Sequence, residues 1–132
     1  MPTCVGAIVA FFFGAAWYGG LSKAWMKAAK VTPEEAKMGP VLFVVTFVTA
    51  LGISFGIGAV LATLGISNSI PSAMIVTAFI WLFLTLFPLN LNHRYQGASF
   101  ALTLIDGFYW LAVFQIAALS HVLMGGAPKF LG

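Results

Sequence analysis

One acid stands alone in apolar surroundings. Asp106, in "LTLIDGFYW", lies about two helical turns inside a long hydrophobic run. A charge at the centre of a bilayer costs roughly 2.5–3.5 kcal/mol, and less toward the interface. Asp106 therefore needs partners. Counting along the chain puts Tyr18, Ser22, Lys23, His93 and Arg94 at its depth. Such a set could bind a proton or a cation. If Asp106, His93 and Tyr18 converged on one pocket, they could also move protons on a lipid or quinone, since acid–base chemistry needs hydrogen-bond reach. The plainer expectation is a structural acid paired with Arg94 or a lysine.

Other chemistry is thin. Ser22, His93 and Asp106 share a depth only loosely, and no catalytic residue is assigned. Glu34 and Glu35 are adjacent but read as acids in the first turn of a helix. Cys4 is the single cysteine, so no cysteine metal cluster or intrachain disulfide is available. His121 lies fifteen residues beyond Asp106, some 22 Å along a helix axis, near the opposite surface. Its ordinary reading is an interfacial hydrogen-bonding histidine; a haem or chlorin ligand is the minor one. No metal and no cofactor are predicted, although a bound lipid, quinone or pigment would suit the composition.

The elements that position these residues follow from composition. Only 7% of the chain is charged, nine residues in all, and 61% is hydrophobic, against roughly 25% charged in soluble domains. Nine charges do not make a water-facing surface, so the fold class is an all-α integral membrane protein. A spanning helix needs about 20 apolar residues, and four runs qualify, near 5–21, 41–64, 71–89 and 99–124. They form a single four-span bundle occupying residues 1–132. The runs are too long and too little alternating for a barrel wall. The opening residues lack the cations of a secretory signal, which predicts a retained first span.

The odd loops carry Lys23, Lys27, Lys30, Lys37 and Arg94, and the other side only Lys129. This bias predicts cytoplasmic loops at 22–39 and 90–98, with both termini opposite. The cations are spread over loops, not gathered in an aromatic-laced patch, which excludes nucleic acid as a partner. Trp17, Trp25 and Lys27 read as interfacial anchors for membrane lipid. In "KVTPEEAK", Thr32, Pro33 and Glu35 have the order of a capped helix start, predicting a short interfacial helix in the first loop.

Thr46, Ala50, Ser54, Gly58 and Ala62 recur every fourth residue, and Gly6, Ala10 and Gly14 repeat the spacing. Such stripes let helix backbones approach closely, most simply within the bundle, alternatively against a partner or a second copy. The third span carries an aromatic face of Phe79, Phe83 and Phe87, with Trp81 near mid-span. On the fourth span Tyr109, Trp110, Val113, Ala117, Ser120 and His121 lie within about 60° of Asp106, and Gln115 points away.

"WYGGLSKAWMK", "TPEEA", "NHRYQG" and "LIDGFYW" together resemble the bacterial membrane family called domain of unknown function 1761. The resemblance rests on Trp17, Tyr18, Gly19, Trp25, Met26, Lys27, Asn92, His93 and Asp106. Ser22 departs from it, at a place where members more often carry an aromatic. It implies a four-span protein of the bacterial inner membrane and supplies no activity, substrate or catalytic residue. The functional expectation is a non-enzymatic accessory subunit of a larger membrane complex, bioenergetic or photosynthetic in setting. The alternative is a small oligomeric transporter or channel using Asp106, and behind it a membrane enzyme acting on lipid or quinone.

Overall fold

The computed structural model describes residues 1–125; Lys129 and the last three residues of "GGAP" lie outside the described residues. Helix α1 spans Pro2–Gly20, α2 Ser22–Ala29, α3 Pro40–Thr63, α4 Ile70–Trp81, α5 Phe87–Tyr95 and α6 Phe100–Met124. A π-helical segment, Leu82–Leu86, joins α4 to α5. Among the described residues four stretches are long and apolar enough to cross a bilayer: Pro2–Gly20, Pro40–Thr63, Ile70–Tyr95 and Phe100–Met124.

Local chemistry sets the ends. Pro2, Pro40 and Pro71 each sit in a first turn, where the missing N–H costs nothing. Ser69 and Ser99 cap α4 and α6 by accepting from the Ser72 and Leu102 N–H groups. The Gly19–Gly20 pair ends α1, and the chain breaks at Leu21 (φ −104°, ψ 14°) before α2 begins. Beyond the break α2 packs against the start of α6: Ser99 Oγ donates to Ala28 O at 3.3 Å, and Lys30 Nζ reaches Gly97 O at 3.4 Å.

The helix in the first loop is thus Ser22–Ala29, upstream of the segment whose capping order suggests one. Thr32 and Glu35 do form the reciprocal pair, Thr32 N–H to Glu35 Oε2 at 2.7 Å and Glu35 N–H to Thr32 Oγ1 at 3.3 Å. They close a single turn. Gly39 and Pro40 follow too soon, as the entry to α3, for a helix to propagate.

The third span also departs from expectation by continuing to Tyr95, so most of the anticipated 90–98 loop is helix. Pro88 accounts for the π turn. A proline ring collides with the carbonyl four residues back in an α-helix, and a wider turn removes the collision. Phe87 N–H accordingly bonds Leu82 O, five residues back.

Helix α6 is the hub. Its apolar window is 44% buried, against 11% for the third span, and α1, α3 and α4 all pack on it. At one end the packing is close because side chains are small. A methyl added at Gly6 would lie 2.6 Å from Ser54 Oγ, and one at Gly58 would strike the His121 ring. Ala10, Ala50, Ser54 and Gly58 are buried, so both small-residue stripes serve contacts within the bundle. Thr46 and Ala62, at the ends of the α3 stripe, and Gly14 are half-buried.

Candidate functional site

The polar site forms where α1, α5 and α6 meet at the end covered by α2. Asp106, one and a half turns or so into α6, receives a hydrogen bond from Tyr18, whose hydroxyl donates to Oδ1 at 2.7 Å. His93 Nε2 lies 3.7 Å from Oδ2, and the Trp25 side chain adds a further interaction. A carboxylate only accepts, so the ring nitrogen facing it carries the hydrogen. In the neutral ring Nδ1 is then the acceptor and takes the Thr103 hydroxyl hydrogen, at 2.9 Å. Thr103 Oγ1 in turn accepts from Arg94 Nη2 at 3.1 Å. The result is a chain of polarity running Arg94, Thr103, His93, Asp106, closed from the other side by Tyr18.

Several expectations change here. Arg94 does not pair with Asp106: it acts through Thr103, and its guanidinium stacks 3.8 Å over the Phe100 ring. Lys23 stands outside the cluster, exposed on α2, as does Lys27. Trp17 is turned inward from the interface, its indole N–H donating to Ile105 O at 3.2 Å. This bond and the Tyr18 bond pin adjacent residues of α1 to adjacent residues of α6.

The aromatic face also divides. Phe79, Phe83 and Phe87 form an exposed ladder with ring centroids 5.9 and 5.6 Å apart. Trp81 is not part of it. Lying two residues from Phe79 and from Phe83, it points into the bundle, where its indole N–H donates to Gly107 O at 2.6 Å. His121 is fully buried rather than interfacial, and its Nε2 donates to Ser54 O at 2.9 Å. A ring packed that tightly against Gly58 leaves no room for a haem or chlorin. Among the described residues no group of three or more His, Cys, Asp or Glu is placed to hold a metal ion.

Beside the network lies a cleft of about 640 Å³ between α1, α3 and α6, roofed by α2 and the loop after it. That size suits a small organic ligand. Tyr18, Trp25, Tyr109 and Trp110 line its polar end, with Asp106 and Ser22; Phe11, Phe43 and Val113 line the apolar remainder. Thr46, Thr49 and Ala50 supply the α3 wall. Three residues of the site had no distinct mark in the sequence as chemistry: Thr103, Tyr109 and the cleft-lining Thr46, whose small size signals packing first.

A family model described as protein of unknown function (DUF1761) matches residues 1–122. No curated protein and no solved structure matches the chain significantly.

Proposed function

The chain belongs to the DUF1761 family, and we propose that it works as a membrane-embedded binding protein whose cleft takes a small amphiphile, with Asp106 as the anchor. One observation carries this reading: a carboxylate held by Tyr18 at 2.7 Å and backed by His93 at 3.7 Å opens onto a ligand-sized cleft. Groups fixed by neighbours in this way are preorganised, so a ligand need not order them on binding. Tyr18 and His93 both direct their polar atoms at Asp106, which orients a binding group; the role proposed is binding, not catalysis. Binding from one side and release to the other would make the protein a small transporter.

The accessory-subunit reading is the second, favoured by the third span. That span packs on the rest of the bundle mainly through α6 and leaves the Phe79, Phe83 and Phe87 ladder uncovered. In either case we place the protein in the bacterial inner membrane, with the basic 22–39 and 90–98 segments cytoplasmic and both termini opposite, on the positive-inside bias.

Gentle extraction of a tagged chain, followed by native mass spectrometry, separates the two. A binding protein is expected to carry a small-molecule adduct that disappears when Thr46→Trp fills the cleft. A subunit is expected to bring a stoichiometric protein partner that Thr46→Trp leaves in place. A bare chain, alone or as a homo-oligomer without adduct, would count against both.

A further inference from the structure

We propose that the occupant of the cleft is a hydrophobic organic cation, with its positive centre at Asp106 and its apolar body toward Phe11, Phe43 and Val113. The inference rests on the cleft reading and adds the ligand's charge. Among the described residues Asp106 is the only charged side chain lining the cleft, and no lysine or arginine lines it. Its side chain keeps 19% of its surface accessible. A carboxylate offers about four lone-pair sites, and Tyr18, Trp25 and His93 engage at most three, so one remains for a ligand.

The walls agree with the charge. Tyr18 and Tyr109 meet at a ring-centroid distance of 5.0 Å and 60°, Tyr18 and Trp25 at 6.1 Å and 83°, Tyr109 and Trp110 at 5.0 Å. Rings set at steep angles present both faces and edges to the space between them, and the faces attract cations. An anion would meet a carboxylate and no compensating cation. A neutral guest would desolvate the carboxylate further and bring it no opposite charge, which is costly. Two sources share the required chemistry: the ammonium headgroup of a phosphatidylethanolamine, or a free lipophilic cation.

The test uses two ions of the same shape and opposite charge. Tetraphenylphosphonium and tetraphenylborate are titrated into the full chain in dodecyl maltoside micelles, which carry no ammonium group, with tryptophan fluorescence, to which Trp25 and Trp110 contribute, as readout. Saturable phosphonium binding is expected, weakened about tenfold or more by Asp106→Asn, which removes the charge–charge attraction in a site of low effective dielectric, and abolished by Thr46→Trp. Saturable borate binding is not expected.

If both ions bind alike and Thr46→Trp removes both, the cation inference is overturned and the cleft reading stands. If neither binds and the extracted protein carries no adduct, both fall. Should Asp106→Asn fail to fold, the phosphonium–borate contrast in the unmodified protein decides alone. Adding phosphatidylethanolamine to the micelles assigns the source. A lipid occupant competes and raises the apparent phosphonium dissociation constant; a free cation leaves it unchanged.

Discussion

Gly58→Ala is expected to destabilise the protein by about 1–3 kcal/mol, the cost of overpacking a filled interior. The added methyl would lie 2.7 Å from His121 Nδ1 and nearer still to other ring atoms. His121 has no accessible surface and is tied through Nε2 to Ser54 O, so the ring has nowhere to retreat. Either α3 and α6 separate or that bond is lost. In a bilayer there is little hydrophobic force to restore close packing, because lipid tails are as apolar as the interior. Gly52 and Gly56 are the controls on the same helix, since a methyl at either meets nothing within 4 Å. Thermal unfolding in detergent, followed by loss of the monodisperse size-exclusion peak, is the measurement. If Gly58→Ala melts with Gly56→Ala, the fit between α3 and His121 is not what holds that end together.

Trp81→Ala should cost at least as much, about 2–3 kcal/mol, just under the usual range for an aromatic truncation because Trp81 is only partly buried. Two losses combine. The indole packs on the cluster of Ile57, Leu61, Ala73, Phe114, Ala117 and Ala118, and its N–H reaches Gly107 O at 2.6 Å. Trp81→Phe keeps most of the packing and removes the hydrogen bond, so it should cost about 1 kcal/mol, near the values for bonds between membrane helices. Phe83→Ala on the exposed ladder should be close to neutral. The ordering Trp81→Ala, Trp81→Phe, Phe83→Ala in melting temperature checks the assignment of inward and outward faces. A Phe83→Ala variant as damaging as Trp81→Ala would mean that the ladder is covered by protein in the membrane.

The errors of the sequence reading share a physical cause. Depth along a helix follows from counting residues, and so the meeting of Tyr18, His93 and Asp106 at one level could be anticipated. Which side of a helix meets the bundle does not follow from counting. Trp81 stands about 160° from Phe79 and Phe83 on the helix, but only the packing shows that its side is the inner one; His121 is enclosed because α3 lies across it. The small-residue stripes were legible because close backbone approach excludes large side chains and so leaves its mark in residue size. The short helix after "WYGG" was not, because the well-formed capping pair begins seven residues downstream of Trp25, in a segment with no length in which to continue. Arg94 looked like the natural partner of the lone acid. Its route through Thr103 depends on two residues nine positions apart facing each other across a tight turn, which no local pattern announces.

The π turn at Leu82–Leu86 has a consequence for how this site can be lost or gained. A π turn accommodates one residue more than the α-helix it interrupts. Phe87 therefore bonds Leu82 O where an uninterrupted helix would place Leu86. Straightening the segment to α-helix at constant length would rotate everything beyond it by about 100°. Trp81 would keep its place against Gly107, while His93 and Arg94 would swing away from Asp106 and Thr103. The azimuth of His93 is therefore a counted quantity, set by one extra residue outside the network it serves. Deleting a residue together with the π turn returns the histidine to the carboxylate; losing the π turn alone disconnects it with every residue of the site still present.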